Sequence, residues 1–367
     1  MKKRFIISGG GTGGHIFPAL AIANRLKKEN PKAEILFIGA KNKMEMKRIP
    51  EAGYNIVGLD IWGINRDLSL KGIYNNLRLP FVLLKSMCVA KKTIRNFKPD
   101  VAIGVGGFAS GPALKLAISL GIPTLIQEQN SFPGVTNRIL SKKVNKICVA
   151  YDGMENYFPA EKIIKTGNPV REEILNIVIK NEEAFKFFGF KKERKTILVV
   201  GGSLGAFSIN KCIADGLDEI EKRGVQLLWQ TGELFYKTIS PDLLKRENER
   251  IKIVPFIKNM DFAYSVADII VSRAGALAIA ELTIVGAPTI LVPFPYAAED
   301  HQTKNAQALA DRNAACMISD QEAAEKLMPK LLQLLNDEKE CKIMGDNIRK
   351  FAKPRAIDDI VNQIMAL

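Results

Sequence analysis

The sequence contains few of the residues that form disulfides or bind structural metal ions. Its 367 residues include five cysteines and two histidines. The cysteines are odd in number and widely spaced, and none of them forms a CxxC pair. We therefore expect neither a disulfide framework nor a zinc site, and the cysteine usage indicates a reducing compartment.

Long apolar segments are missing as well. No run approaches the roughly 20 apolar residues of a spanning helix, and the uncharged run Thr283–Ala298 contains three prolines. The basic start Lys2–Arg4 is followed by only three apolar residues, Phe5–Ile7, too few for the apolar region of a signal peptide. We expect no secretion signal and no membrane-spanning helix.

Acidic residues are outnumbered by basic ones. The chain has 53 lysines and arginines against 39 aspartates and glutamates, a formal net charge of +14. This excess favours an anionic partner such as a nucleic acid, a lipid headgroup or a phosphorylated small molecule. A nucleic-acid surface would set aromatic residues among the basic ones, but the acid-free segment 68–99 offers only Tyr74, Phe81 and Phe97. We therefore do not expect nucleic acid as a partner.

Short apolar runs alternate with longer amphipathic stretches, a pattern typical of parallel sheets covered by helices. Because 367 residues exceed what one core usually supports, we predict two Rossmann-like α/β domains. The turn cluster Thr166–Val170 marks the boundary between them. The predicted ranges are 1–167 for the N-terminal domain, 168–345 for the C-terminal domain and 346–367 for a terminal helix that packs back on the N-terminal domain. The predicted strands are Arg4–Ser8, Glu34–Gly39, Val101–Val105, Thr124–Gln127, Lys146–Val149, Thr196–Val200, Gln226–Gln230, Ile251–Val254, Ile269–Val271 and Thr289–Val292.

Three glycine-rich turns follow predicted strands, at Gly9–Gly14, Gly104–Pro112 and Gly201–Gly205. Glycine lets backbone N–H groups approach a ligand, and a following helix presents its positive end, so an anion is the expected occupant. The first turn matches GxGxxG, but the second strand lacks the carboxylate that holds the ribose of NAD, and the turn lacks the lysine of a P-loop. We interpret these turns as phosphate or sugar loops at the carboxyl ends of parallel strands.

Three polar side chains follow strands at positions where such loops would place a ligand. His15 comes directly after the first turn and could act as a general base, although a lone histidine is as often structural. Glu128 comes directly after the predicted strand Thr124–Gln127, where it would bond a hydroxyl-rich ligand or cap a loop. Glu281 lies in the helix after Ser272–Gly275, and a carboxylate there can accept both hydroxyls of a ribose.

The acid-free segment 68–99 has a second unusual feature. Its basic residues surround the run Leu79–Leu84, in which five of six residues are apolar around a proline. Such a run cannot direct every apolar side chain to one core on a helix. An apolar patch ringed by cations indicates contact with an anionic membrane surface. The alternative is a buried helix with a solvated basic rim.

Seven motifs occur in a fixed order along the whole chain: GGTGGH from Gly10, GVGGFASGP from Gly104, QEQN from Gln127, GNPVR from Gly167, GGSLGA from Gly201, SRAGALAIAE from Ser272 and HQTKNA from His301. With these motifs the sequence resembles the MurG family, the peptidoglycan N-acetylglucosaminyltransferases that form lipid II. One glycine loop would not distinguish this family, whereas seven ordered motifs do.

The resemblance implies a GT-B fold, in which two Rossmann-like parallel-sheet domains face each other across a cleft. It implies an inverting transfer of N-acetylglucosamine from UDP-N-acetylglucosamine to the 4-hydroxyl of undecaprenyl-diphospho-N-acetylmuramoyl-pentapeptide (lipid I), which gives lipid II. The enzyme would be peripheral, on the cytoplasmic side of the cell membrane. Another UDP-sugar-dependent lipid glycosyltransferase of the GT-B fold is the alternative.

The resemblance also implies which residues bind the substrates. The backbone of Ile257 would read uracil, Glu281 would hold the ribose, and Gln302, with His301, would contact the sugar hydroxyls. A first set approaches the donor sugar from the N-terminal domain: Thr12, Gly13, Gly14 and Asn130. A second set lies beside the diphosphate: Arg171, Ser203, Ala276, Leu277, Ala278, Ile279 and Ala280.

Catalysis in such an enzyme would need no cofactor. No DxD motif is present, so helix N-termini together with Arg171 and Ser203 would stabilise the departing UDP without a metal ion. His15 is the first candidate for the catalytic base and Glu128 the second. Family members often have tyrosine at the position of Phe108 and histidine at that of Gln127, so neither of these positions can supply the base here.

Overall fold

The computed structural model describes residues 3–62, 70–202, 204–297 and 300–367, with residues 70–80 described by their backbone alone. These residues form two compact units. The first unit contains Met1–Val170 and Arg355–Leu367, and the second contains Arg171–Pro354. The chain therefore passes from one unit to the other twice, after Val170 and after Pro354.

The first unit is built on a seven-stranded parallel sheet in the order β3-β2-β1-β4-β5-β6-β7. Its strands are β1 (Arg4–Ser8), β2 (Glu34–Ala40), β3 (Asn55–Leu59), β4 (Val101–Gly104), β5 (Thr124–Glu128), β6 (Lys146–Val149) and β7 (Ile163–Lys165). Its first five helices are α1 (Gly13–Glu29), α2 (Glu45–Glu51), α3 (Leu70–Phe97), α4 (Ser110–Ser119) and α5 (Val135–Ser141), and short 3₁₀ turns cover Met154–Asn156 and Ala160–Lys162. The strand order reverses at the neighbouring pair β1 and β4, which is where open α/β sheets leave a crevice for a ligand.

The second unit repeats this plan with a six-stranded parallel sheet in the order β10-β9-β8-β11-β12-β13. Its strands are β8 (Thr196–Val200), β9 (Gln226–Gln230), β10 (Ile251–Val254), β11 (Ile269–Ser272), β12 (Thr289–Leu291) and β13 (Cys316–Met317). Its helices are α6 (Glu172–Leu175), α7 (Glu182–Phe188), α8 (Phe207–Asp215), α9 (Leu217–Lys222), α10 (Glu233–Thr238), α11 (Pro241–Leu244), α12 (Met260–Val266), α13 (Ala276–Val285), α14 (His301–Ala310), α15 (Ala323–Asn336) and α16 (Glu338–Arg349). The order reverses at β8 and β11.

The two parallel-sheet domains of the predicted α/β class are confirmed, and the physical reason is visible in the central strands. Phe5, Ile6 and Ile7 of β1 are all fully buried. A strand covered by helices on both faces has no solvated side, so it reads as a continuous apolar run rather than as an alternating one. The same holds for Ile197, Leu198 and Val199 of β8.

The structure adds elements that the apolar pattern did not predict. The edge strands β3, β7 and β13 were missed because they are short or, in β3, interrupted by Gly58. The segment between β8 and β9 forms two helices, α8 and α9, which meet at Gly216. A Cβ at Gly216 would lie 2.2 Å from Cε of Met328, so α15 packs closely against this junction.

The end of the chain returns to the first unit as a helix, α17 (Ala356–Met365). Its apolar side is buried. Oδ1 of Asp358 forms an ion pair with Nε of Arg25 on α1 at 3.1 Å. By contrast α16 stays with the second unit, where Met344 and Ile348 are buried. The returning segment therefore starts at Arg355, after α16 has ended, rather than at residue 346.

The longest described helix, α3, spans 28 residues. It carries basic side chains along its length. Within the described part of the chain, no helix combines the length and the apolar character that crossing a bilayer requires.

Candidate functional site

Two glycine loops meet at the point where the sheet of the first unit reverses its order. Gly10 follows β1, and Gly106 and Gly107 follow β4. Gly107 has a φ of +85°, and a Cβ there would lie 2.4 Å from the carbonyl oxygen of Gly10. Only glycine allows this backbone-to-backbone approach. The loops therefore form a surface of peptide groups at the start of α1.

His15 lies on the first turn of α1, against these loops. Its Nδ1 is 3.1 Å from the carbonyl oxygen of Gly10 and 3.5 Å from Oγ1 of Thr12. The ring also faces Gly106, where a Cβ would lie 2.8 Å from Nε2. Because a carbonyl oxygen can only accept a hydrogen bond, Nδ1 carries the proton, and in the neutral ring Nε2 keeps the lone pair.

The residues around His15 form the amino end of α1. Thr12 is the N-cap with an extended backbone, and its side chain makes no capping hydrogen bond. Thr12 and Gly14 are exposed, and Gly13 is half-buried. The first turn, Gly13–Ile16, contains no acidic side chain. An exposed helix start of this kind attracts a negatively charged or strongly polar ligand group.

Glu128, at the end of β5, has a different environment from His15. Its side chain is 1% exposed, and its two oxygens accept four hydrogen bonds. The donors are the backbone N–H and the Nδ2 of Asn130 at 3.1 and 3.3 Å, the N–H of Gly134 at 3.1 Å and Nδ2 of Asn137 at 2.8 Å. Burial raises the pKa of the Glu128 carboxyl, and these hydrogen bonds oppose that increase. The carboxylate thus orders the loop that carries Asn130, itself half-buried.

A buried amide network lies beside Glu128 and was not predicted. Nε2 of Gln127 donates to Oδ1 of Asn168 at 3.0 Å, and Nδ2 of Asn168 donates to the carbonyl of Gln129 at 2.9 Å. Nε2 of Gln129 in turn donates to Oε1 of Gln127 at 2.5 Å. The network joins the end of β5 to the segment that leaves the unit. The polar residues of QEQN were a visible signal, but their partner Asn168 is 41 positions away from Gln127.

Glu45 is a second residue that sequence reasoning missed. It is the first residue of α2 and is fully buried. One carboxylate oxygen accepts from the N–H of Gly11 at 2.9 Å, and the other accepts from the N–H of Ala40 at 3.0 Å. In the sequence it resembles any acidic residue in the first turn of a helix, so only its burial distinguishes it.

The second unit has a corresponding glycine loop after β8. A Cβ at Gly205, whose φ is +80°, would lie 2.1 Å from the carbonyl oxygen of Thr231. A Cβ at Gly232 would lie 2.4 Å from the nitrogen of Gly205. The loops that follow β8 and β9 therefore touch through their backbones, as the two loops of the first unit do. The predicted diphosphate residue Ser203 lies outside the described residues.

Arg171 and Glu281 form an ion pair in the second unit. Nε and Nη2 of Arg171 are 2.9 and 2.8 Å from Oε1 of Glu281, and the hydroxyl of Tyr264 donates to Oε2 at 3.1 Å. The Glu281 side chain is only 14% exposed. Sequence reasoning identified the arginine and the glutamate but did not predict that they bond each other, and it missed Tyr264.

The charge states in this cluster depend on one another. Burial raises the pKa of Glu281, and the Arg171 charge with its hydrogen bond opposes that increase. Burial opposes the charge of Arg171, yet the carboxylate of Glu281 outweighs it and the pKa of the guanidinium is raised. Burial and the Glu281 charge raise the pKa of Tyr264 well above its usual value, so the phenol stays protonated and donates.

Ile257, predicted to read uracil through its backbone, is 5% exposed after β10. Its N–H already donates to Oε1 of Gln230 at 2.9 Å, and Nε2 of Gln230 donates to the carbonyl of Gly202 at 3.0 Å. Gln230, another residue missed from the sequence, thus ties the Ile257 segment to the glycine loop. A nucleobase bound at this position would contact the carbonyl of Ile257, or it would replace the Gln230 oxygen as the partner of the Ile257 N–H.

The amino end of α13 follows Gly275, where an added Cβ would meet open space. Ala276 and Ile279 are buried against the unit. The remaining members of the predicted set are half-buried: Leu277, Ala278 and Ala280. Just before this helix, Arg273 bonds the carbonyls of Val292 and Pro293 at 3.1 and 3.0 Å and fixes the turn.

Gln302 and His301 begin α14, and both side chains are half-buried. Oε1 of Gln302 accepts from the N–H of Phe294 at 3.0 Å, which leaves the NH₂ end of the amide as its donor toward a ligand. Among the residues that the structure describes, no three or more His, Cys, Asp and Glu side chains are grouped to hold a metal ion.

Comparison with known proteins agrees with this architecture. The glycosyltransferase family 28 N-terminal domain matches residues 5–149, and the glycosyltransferase family 28 C-terminal domain matches residues 196–360. A crystal structure of Acinetobacter baumannii MurG covers 100% of both chains with a TM-score of 0.77 and 32% identity. A UDP-GlcNAc 2-epimerase from Neisseria meningitidis matches with a TM-score of 0.67 but 16% identity, a likeness of fold alone.

Curated relatives match over the full length. A protein of Parabacteroides distasonis, named UDP-N-acetylglucosamine--N-acetylmuramyl-(pentapeptide) pyrophosphoryl-undecaprenol N-acetylglucosamine transferase, is 52% identical across 100% of this chain and 98% of its own length. A protein of the same name from Porphyromonas gingivalis is 52% identical across 99% of this chain and 95% of its own length. The chain therefore belongs to glycosyltransferase family 28, within its MurG family of N-acetylglucosamine transferases.

Proposed function

We propose that this chain transfers N-acetylglucosamine from UDP-N-acetylglucosamine to the 4-hydroxyl of the muramyl sugar of lipid I, with inversion, and so forms lipid II. The observation that carries the proposal is the 52% identity, over the whole chain, to relatives whose name states this reaction. The glycine loops at the switch points of both sheets support it, because they offer peptide N–H groups and helix N-termini to a sugar diphosphate.

The second unit supplies the groups for the donor in this proposal. Glu281 accepts the ribose hydroxyls, and the backbone of Ile257 contacts uracil. The amino end of α13 and Arg171 face the diphosphate. Ser203 is assigned to the diphosphate as well, and this assignment is based only on its sequence motif. Gln302 donates to a hydroxyl of the sugar. Positive partial charge at the helix start stabilises the UDP that leaves.

His15 is the base in this proposal. An inverting transfer is a single displacement, in which the acceptor oxygen bonds to the anomeric carbon as the bond to UDP breaks. The hydroxyl proton passes to Nε2, which holds the lone pair of the neutral ring because Nδ1–H is bonded to Gly10. Glu128 is less suited to this role, since four donors already occupy its oxygens. It holds the Asn130 loop in place instead.

The experiment that tests the function is transfer of radiolabelled N-acetylglucosamine to a lipid I analogue in the presence of EDTA. We expect label in the lipid-linked product at the rate seen without chelator. No transfer, with UDP-N-acetylglucosamine binding intact, would refute the acceptor and favour another lipid acceptor of the same donor. Loss of transfer on chelation alone would contradict the metal-free mechanism.

We also propose that the first unit rests on the cytoplasmic side of the membrane. Phe81 and Leu84 of α3 are 75% and 62% exposed, and the neighbouring Lys85 is exposed too. Helix α4 packs between α3 and α5, and Val135 and Ile139 are exposed one turn apart on α5. Apolar side chains surrounded by cations favour an anionic lipid surface. The side chains of Leu79 and Pro80 lie outside the described residues.

Replacing Phe81 and Leu84 with serine should weaken binding to vesicles that contain anionic lipid by about 100-fold or more, because full burial of the two apolar side chains contributes about 3–6 kcal/mol together. Activity on a soluble acceptor analogue should be unchanged. A matched control replaces Val178 and Ile343, exposed apolar residues of the second unit, with serine. Vesicle co-sedimentation measures the effect, and equal binding by both double variants and the wild type would rule out the patch.

A further inference from the structure

One peptide group connects Glu45 to His15. The N–H of Gly11 donates to Oε2 of Glu45 at 2.9 Å. The carbonyl of Gly10, on the other side of the same peptide bond, accepts from Nδ1 of His15 at 3.1 Å. The carboxylate, the peptide and the imidazole therefore form one continuous chain of hydrogen bonds.

Glu45, at one end of this chain of hydrogen bonds, is held rigidly. Glu45 is fully buried, and its second oxygen accepts from the N–H of Ala40 at the end of β2. Room for it depends on two glycines. A Cβ at Gly10 would lie 2.1 Å from Oε1 of Glu45, and a Cβ at Gly39 would lie 2.7 Å from its Cγ. The position of the Glu45 carboxylate therefore requires glycine at both positions.

The Gly10–Gly11 peptide orients the His15 ring and is also polarised by the Glu45 carboxylate. A carboxylate at the N–H end polarises the peptide and increases the negative charge on its carbonyl oxygen, since hydrogen bonds in a chain strengthen one another. That oxygen then stabilises a proton on Nδ1 and the positive charge of a doubly protonated ring. In serine proteases a carboxylate bonds directly to the histidine for the same purpose. Here one peptide group lies between them.

We propose that Glu45 is a positioning residue for His15 and acts through the Gly10–Gly11 peptide. It keeps the proton on Nδ1, so that Nε2 carries the lone pair, and it increases the proton affinity of the ring. The inference rests on the proposed role of His15 as the base. Among the described residues, Thr12 and the two glycine loops contact the ring, and the carboxylate of Glu45 bonds to the first of these loops.

The protein is suited to a direct test of this proposal because its sequence has only two histidines, His15 and His301. Imidazole NMR titration of the Glu45→Gln protein should show the pKa of His15 lowered by about 0.5–1, since removing a nearby anion disfavours the protonated ring. The imidazole of His301 is followed in the same spectra. The acid limb of the kcat/KM profile should move to lower pH by the same amount. We expect kcat to fall about 10-fold, with the donor KM unchanged.

A matched control removes an equal charge from the same helix. Glu51 ends α2 and bonds Arg48 rather than the glycine loop, so Glu51→Gln should leave the pKa of His15 and kcat at their wild-type values. If Glu45→Gln does not fold, Glu45→Asp keeps the charge but shortens the arm, and it should still lower the pKa of His15. A folded variant at position 45 with the wild-type His15 pKa overturns the proposal. Loss of activity in His15→Ala is a separate measurement, so failure of the base assignment can be told apart from failure of the Glu45 link.

Discussion

Replacing His15 with alanine is expected to lower turnover by about 10²–10⁴, the contribution of a positioned general base. The hydrogen bond from Nδ1 to Gly10 leaves the lone pair on Nε2, and alanine removes that lone pair, whereas the residues proposed to bind UDP are unchanged. The donor KM should therefore change little. Initial rates with labelled UDP-N-acetylglucosamine and a lipid I analogue measure both quantities.

The His15→Asn variant separates catalysis from loop structure. Its amide nitrogen can still donate to the Gly10 carbonyl, but the side chain has no basic nitrogen. We expect it to be as slow as the alanine variant. Recovery of turnover with asparagine would mean that His15 supports the loop rather than taking a proton. Near-normal turnover in the alanine variant would remove His15 from the chemistry.

Replacing Glu281 with alanine is expected to raise the donor KM by about 10–100-fold, the usual effect of losing hydrogen bonds to a charged group. In the structure Arg171 places two donors on Oε1, and Tyr264 places one on Oε2. A carboxylate has about four lone-pair sites, so a ribose that donates both hydroxyls must displace at least one of these three bonds, and we expect it to be one from Arg171. Donor binding would thereby direct the guanidinium toward the diphosphate.

A donor without ribose hydroxyls provides the control for Glu281. With 2′,3′-dideoxy UDP-N-acetylglucosamine, wild type and Glu281→Ala should bind almost equally, since the contact is absent in both. Isothermal titration calorimetry with the two donors completes a double-mutant cycle. An equal loss of affinity for both donors would show that Glu281 acts only by holding Arg171 and Tyr264, and thermal unfolding would then report the change in stability.

The α/β class and most central strands could be predicted because a parallel sheet buries both faces. Continuous apolar runs such as Phe5–Ile7 carry that information locally. Edge strands such as Ile163–Lys165 are only half-buried, so their composition differs little from that of a loop. The junction at Gly216 was not predicted either, and Met328, which packs against it, lies more than a hundred positions away in the sequence.

The family and the glycine loops could be identified from the amino-acid order alone, because ordered motifs and strand ends are local features. The same holds for the choice of four residues of interest: His15, Glu128, Arg171 and Glu281. The hydrogen-bond partners of these groups became known from the folded structure. It gave Glu128 four donors, paired Arg171 with Glu281 and brought Glu45 to the peptide beside His15. Hydrogen bonds and burial depend on which distant segments the sheet brings together. A buried carboxylate and a solvated one therefore look alike in the sequence, although their chemistry differs.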